Sequence, residues 1–184
     1  MTFSIPNLLT WMRIALIPLI VVVYYYPHPL SGPVSAMIFA LAAITDWLDG
    51  YLARRLGQTS SFGAFLDPVA DKLMVATALV LLVDNPGGML LAVAAAIIIG
   101  REIAISALRE WMAELGQRGK VAVSWIGKLK TTAQMVAIFL LLHAQPILGL
   151  PTFTLGLILL YVAAALTLWS MFHYLRAALS IAEN

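Results

Sequence analysis

Asp46, Asp49, Asp67 and Asp71 fall in two short stretches of a chain that is 62% hydrophobic. The first reads D-W-L-D-G-Y-L-A-R from residue 46; the second, after eight intervening residues, reads G-A-F-L-D-P-V-A-D from residue 63. A carboxylate near the bilayer interior costs ~2.5 to 3.5 kcal/mol on insertion scales, so four of them together require a metal ion or a cationic substrate contact to compensate them. Hard oxygen donors with no His or Cys among them favour Mg²⁺, Mn²⁺ or Ca²⁺, and four carboxylates carry the charge to balance two divalent ions. Mg²⁺ keeps positions open for phosphate oxygens, and paired ions stabilise both the attacking and the leaving oxygen in a displacement at phosphorus. Phosphoryl transfer is the chemistry this set of residues fits.

Helices are the elements that would position them. At about 100° per residue, Asp46, Asp49, Gly50 and Ala53 share roughly a third of a helix circumference, with Arg54 at its margin. Gly63, Asp67 and Asp71, at i, i+4 and i+8, share one face of the next helix. The connection over residues 55–61 is short, which predicts that the two helices are antiparallel neighbours whose carboxylate faces meet directly in a compact box. Gly50 and Gly63 leave room either for a flat base or for close helix packing. The planar fork of Arg54 suits a diphosphate, its alternative being to snorkel toward lipid headgroups. The competing account of the aspartates is a set of interfacial ion pairs with Arg54, Arg55 and Lys72.

The rest of the chain supplies the scaffold. With 184 residues, 11% charged and a mean hydropathy of +0.94, it is far from the roughly 25% charge of soluble domains and reads as an all-α integral membrane protein. Apolar segments over 8–26, 34–48, 68–83, 89–108, 126–143 and 153–175 predict six transmembrane helices, each span needing ~20 mostly apolar residues. Residues 1–184 are expected to form a single membrane domain. The turns near residues 27–33, 84–88 and 145–151 are rich in Pro and Gly and hold no Lys or Arg. The cations gather at the opposite ends of the segments, which places that side, both termini and the aspartates toward the cytoplasm. Residues 1–11 mix Phe3, Ile5, Leu8 and Trp11 with polar side chains and suit a short N-terminal interfacial helix or an ordinary helix start. The chain has no cysteine, which excludes thiolate chemistry and disulfides. A net charge of +2 without a basic run argues against nucleic acid. His28, His143 and His173 are scattered over helix ends, and the tryptophans suit an aromatic belt.

Read as D-x-x-D-G-x-x-A-R-x(8)-G-x-x-x-D-x-x-x-D, residues 46–71 resemble the signature of the CDP-alcohol phosphotransferase family at every position. The resemblance implies the six-helix fold of that family, a homodimer, and transfer of a phosphatidyl or similar group from a CDP-linked donor to an alcohol with release of CMP. It further implies that Asp46, Asp49, Asp67 and Asp71 bind metal, two ions of Mg²⁺ or Mn²⁺ per site, and that Asp71 is also the base that deprotonates the acceptor. Asp49, Gly50, Ala53, Arg54 and Gly63 would contact CDP-diacylglycerol.

The resemblance extends to Ile5-Pro6-Asn7-Leu8-Leu9-Thr10 with Arg13, to Gly100-Arg101-Glu102 and to Gly127-Lys128-Leu129-Lys130-Thr131. It thus covers nearly the whole chain and implies an enzyme of the bacterial inner membrane that uses sn-glycerol 3-phosphate as acceptor. The products would be phosphatidylglycerol phosphate and CMP. Arg101, Arg109, Lys128 and Lys130 supply the counter-charge a phosphorylated acceptor needs; with Thr131 they are the candidate acceptor contacts, and Asn7 and Arg13 are candidate N-terminal contacts. Arg101 could equally form an internal ion pair with Glu102. Arg118 and Lys120 suit topology or anionic membrane lipids. Two rivals stand beside this reading. One is the same chemistry with inositol phosphate, serine or phosphatidylglycerol as acceptor; the other is a divalent-cation transporter that uses the carboxylates as a transit site.

Overall fold

The computed structural model describes residues 5–56, 61–85, 87–114 and 125–182. Six α-helices carry them: α1 (Ile5–Tyr25), α2 (Ser31–Leu56), α3 (Ser61–Val83), α4 (Gly88–Glu114), α5 (Trp125–His143) and α6 (Thr152–Ala182). No β-strand forms among the described residues, apart from an isolated bridge between Ile147 and Leu150. The boundaries follow the predicted turns. Pro27 and Pro29 follow the end of α1, Gly87 adopts a left-handed φ of +113° just before α4, and Ala144 at φ +58° closes α5. The Gln145 side-chain amide then donates to the Pro29 carbonyl at 2.6 Å, tying the turn after α5 to the turn after α1.

Among the described residues, four helices are long and apolar enough to cross a membrane: Leu8–Tyr25, Ser31–Asp49, Gly88–Glu114 and Thr152–Arg176. This makes the chain a multi-pass membrane protein. The predicted count of six includes α3, whose first half carries Asp67, Asp71 and Lys72, and α5, whose apolar part Leu129–His143 is shorter. Helix α1 runs unbroken from Ile5, so residues 5–11 begin that helix rather than form a separate element. Residues 1–4 lie outside the described residues.

The helices close into a ring in the order α1, α2, α5, α6, α4, α3, with α3 also touching α2 and α5 across it. Helices α4 and α5 make no packing contact among the described residues. Inside the ring Ile20, Phe39, Leu79, Leu82, Leu91, Ile98, Ile138 and Leu160 are buried, interleaved with Ala36, Ala78, Ala94 and Ala137. Such small residues let helix backbones approach in a setting where hydrophobic force between helices is weak. Large apolar side chains such as Val22, Met37, Ile44, Val80 and Ile158 face outward, as lipid contact requires.

The tightest approach is between α5 and α6 at Gly156. A Cβ there would lie 2.8 Å from Leu141 Cγ and 3.1 Å from the Ala137 carbonyl oxygen. Gly156→Val is therefore expected to cost about 1 to 3 kcal/mol through overpacking, read as a lower Tm in detergent. An unchanged Tm would mean that these helices do not pack this closely.

Candidate active site

The aspartates lie where two helices outrun their apolar cores. Helix α2 continues past Leu48 to Leu56, and α3 starts at Ser61, before its apolar run. Antiparallel packing brings these extensions to the end of the bundle opposite the three Pro- and Gly-rich turns.

A direct meeting of two carboxylate faces is not what the structure shows. Helices α2 and α3 touch each other far less than each touches α1, so the first helix supplies the link. On α1 the residues Thr10, Arg13, Leu16 and Ile20 form one buried stripe at the spacing of successive helical turns. The Arg13 guanidinium, 1% exposed, donates through Nη1 to Asp46 Oδ1 at 2.6 Å and through Nη2 to Asp49 Oδ2. One turn earlier, the Thr10 hydroxyl donates to Asp67 Oδ1. The carboxylates are linked through α1, and among the described residues no group of three His, Cys, Asp or Glu side chains stands close enough to hold one ion. Helix α1 packs against both α2 and α3, which brings its buried stripe beside carboxylates of both helices.

The four carboxylates still act on one another. Asp49 feels the charges of Asp67 and Asp46, and Asp71 those of Asp46 and Glu102, with Arg13 and Lys72 opposing them. Repulsion among like charges in a poorly solvated site must be offset by cations. Arg13 does this for two of them. The set fits a hard divalent ion in its chemistry, because its donors are carboxylate oxygens with no nitrogen or sulfur ligand among them.

Asp71 connects this cluster to a cavity. Together with Arg13, Phe39, Ala42, Met74 and Met135 it borders a small gap on the α1 and α2 side. On its other side it lines a cavity of about 360 Å³ between α3, α4 and α5, whose polar lining is Asp71, Lys72, Glu102, Ser106, Thr131 and Gln134. The remaining wall is apolar, from Leu73, Val75, Ile98, Ile99, Ile103 and Met135. The site is thus amphipathic, able to present polar groups to a headgroup and aliphatic ones to a lipid chain.

The predicted acceptor cations divide. Arg101, 8% exposed, reaches Glu102 Oε1 at 2.6 Å through Nη1 and Ser170 Oγ at 3.2 Å through Nη2. Lys130, also buried, places Nζ 3.8 Å from the same Glu102 oxygen, and Thr131 lines the cavity while its hydroxyl donates to the Gly127 carbonyl. Both readings of Arg101 meet here: it is an internal ion pair, and it stands beside the cavity. Arg109 is exposed on the last turns of α4, within the field of Lys130. Gly63 is buried on α3. Gly50 lies within α2; the side chains of Asn7, Ala53, Arg54 and Lys128, and the burial of Gly50, lie outside what is described, as do Arg118 and Lys120.

Ion pairing of the aspartates with Lys72 and Arg55 does not occur among the described residues. Lys72 donates to Ser106 Oγ on α4, which donates in turn to the Glu102 carbonyl at 2.7 Å. Arg55 turns to the Tyr51 hydroxyl at 3.0 Å. Thr10, Lys72, Ser106, Gln134 and the carboxylate of Glu102 are site residues that the motif does not announce. Glu102 was legible beside Arg101, and the stripe containing Thr10 and Arg13 was legible as polar residues at helical spacing in line with buried Leu16 and Ile20. His28 and His143 border a concavity at the other end of the bundle, remote from the aspartates as expected.

Residues 3–169 match the family model described as CDP-alcohol phosphatidyltransferase. The chain is 58% identical over 178 residues to a Salmonella choleraesuis protein named CDP-diacylglycerol--glycerol-3-phosphate 3-phosphatidyltransferase, covering 97% of this chain and 96% of that one. Proteins of the same name from Pectobacterium atrosepticum and Shigella flexneri serotype 5b are each 56% identical, with the same coverage.

Proposed function

The chain belongs to the CDP-alcohol phosphatidyltransferase family, and from that membership we infer that it transfers the phosphatidyl group of CDP-diacylglycerol to sn-glycerol 3-phosphate. The products are phosphatidylglycerol phosphate and CMP. The carrying observation is near-full-length identity of 56 to 58% to relatives whose names state this donor and acceptor. The site agrees in character, since one cavity is lined by the carboxylate of Asp71, by Lys72 and by Glu102, the ion-pair partner of Arg101 and Lys130, with an apolar wall beside them.

In this reading Asp71 accepts the proton of the acceptor hydroxyl. The freed oxygen attacks the lipid-bearing phosphorus in line, the phosphorus–oxygen bond to CMP breaks, and CMP carries the leaving charge away. Arg101 and Lys130 hold the acceptor phosphate beside the cavity wall that Thr131 lines, and Arg109 and Lys128 are further acceptor contacts in this reading. Asp49, Gly50, Ala53, Arg54 and Gly63 hold the donor headgroup, and the Arg54 fork grips its diphosphate. Arg13 lies on the α1 face that organises the carboxylates, and Asn7 would be a further N-terminal contact. Asp46, Asp49, Asp67 and Asp71 would hold the two divalent ions, Mg²⁺ or Mn²⁺, which neutralise and polarise the diphosphate. No covalent enzyme intermediate is required, since both substrates fit one cleft.

All six helices span the bacterial inner membrane in this proposal, with both termini and the site facing the cytoplasm, as the distribution of Lys and Arg supports. The first turns of α1, where Leu8 and Trp11 are exposed, lie at the interface, and the protein works as a homodimer.

The test is CMP release by purified protein with CDP-diacylglycerol and Mg²⁺, with and without sn-glycerol 3-phosphate. Release is expected only with the acceptor, is abolished by EDTA, and returns on addition of Mg²⁺ or Mn²⁺. Release that instead follows inositol phosphate, serine or phosphatidylglycerol would reassign the acceptor. Ion flux without CMP would make the protein a transporter.

A further inference from the structure

Glu102 occupies a position that the transfer reaction as described leaves unexplained. Helices α4 and α5 do not pack against each other among the described residues, and the 360 Å³ cavity lies between them. The Glu102 carboxylate, on the cavity wall, crosses that gap. Its Oε1 lies 2.6 Å from Arg101 Nη1 and 3.8 Å from Lys130 Nζ, and Arg101 in turn reaches Ser170 on α6. One carboxylate oxygen therefore joins cations from two helices that make no packing contact among the described residues.

Two buried cations side by side repel, and in a poorly solvated wall the repulsion is large unless an anion lies between them. Arg101 and Lys130 are 8% and 4% exposed, whereas the Glu102 side chain is 31% exposed. The carboxylate is thus the accessible member of the cluster and the cations are its buried flanks. Arg109 adds a third positive charge to the field at Lys130. Two cations against one carboxylate leave a net positive charge in the cluster, which favours an anion such as a phosphate. Among the described residues Arg101 Nε also has no hydrogen-bond partner, a buried donor left over after Glu102 and Ser170 are satisfied. Asp71 lines the same cavity, so a phosphate held at this wall directs the rest of a short acceptor toward the base.

We propose that Glu102 is a positioning residue for the acceptor phosphate: it holds Arg101 and Lys130 together across the α4 and α5 gap so that both can engage one phosphate group. The proposal rests on the acceptor reading above. Its mechanism is preorganisation. The two cations meet a phosphate without first overcoming their own repulsion or the separation of their helices.

Steady-state kinetics of Glu102→Gln test it. The amide keeps the shape and loses the charge, so KM for sn-glycerol 3-phosphate is expected to rise about tenfold, within the range for losing a hydrogen bond to a charged group. Both kcat and the KM for CDP-diacylglycerol should change less than about threefold, because neither depends on how the acceptor phosphate is gripped. Glu102→Asp restores the charge with a reach shorter by one methylene and should give an intermediate acceptor KM. A purely structural role for Glu102 predicts a different split: less active enzyme, hence lower apparent kcat, with acceptor KM unchanged. That result overturns the proposal. If Glu102→Gln does not yield folded protein, the acceptor KM of Glu102→Asp decides in the same way. Wild-type enzyme that releases CMP without dependence on sn-glycerol 3-phosphate overturns the acceptor reading itself and this role with it, an outcome separate from a failure at Glu102 alone.

Discussion

Asp71→Asn is expected to lower acceptor-dependent CMP release by about 10²- to 10⁴-fold, the usual contribution of a positioned general base, while leaving most of the affinity for CDP-diacylglycerol. The substitution preserves volume and hydrogen bonding but removes the negative charge from the one aspartate that faces both the carboxylate cluster and the cavity. A base in contact with a metal ion need not have an elevated proton affinity, because the ion also acidifies the nearby hydroxyl. Asp46→Asn should behave differently. Its side chain stands with Asp49 on the Arg13 guanidinium and is absent from the cavity lining, so its loss should weaken divalent-ion binding together with turnover. Turnover paired with Mn²⁺ titration of each purified variant separates the two. Equal, modest losses in both variants would contradict this division of labour.

The second large effect is expected at Arg13. Arg13→Met keeps the length and the apolar stem of the side chain but leaves Asp49, 3% exposed, and the half-exposed Asp46 without their shared cation. Removing one partner from a buried ion pair costs ~3 kcal/mol or more, because the remaining charge stays behind unpaired. In metal-free detergent solution the variant should therefore unfold well below the wild-type Tm. Added Mg²⁺ or Mn²⁺ should recover part of the difference, since an ion that binds only the folded carboxylates stabilises by mass action. Arg13→Lys should fall between, because an ammonium cannot reproduce the two-pronged contact. A Tm for Arg13→Met equal to wild type would show that the aspartates do not depend on α1 for their counter-charge.

Both effects turn on pairings of unequal legibility. That Asp67 and Asp71 share a helix face follows from their spacing, and the structure keeps them on α3. The predicted turns likewise fall at residues 27–30, 84–85 and 145–151, with α2 already begun at Ser31 and α4 at Gly88, since Pro and Gly restrict the backbone locally whatever surrounds them. The helices themselves run further than hydropathy suggests, because a helix needs apolar residues only where it meets lipid. Past that depth the charged residues of 49–56 and 61–72 continue the same hydrogen-bond ladder.

The amino-acid sequence by itself determined the membrane class, the helical segments, the turns between them and the carboxylate-rich faces, for each depends on residue type and a short-range period. The tertiary structure alone decided which helices are neighbours. It put Arg13 and Thr10 of α1 between α2 and α3, and it opened a cavity between α4 and α5 that Glu102 and Lys130 span. The physical reason is that helix order in a ring comes from side-chain packing and charge compensation among residues far apart in the chain. A local period records which face of a helix is special, but not which other helix that face will meet.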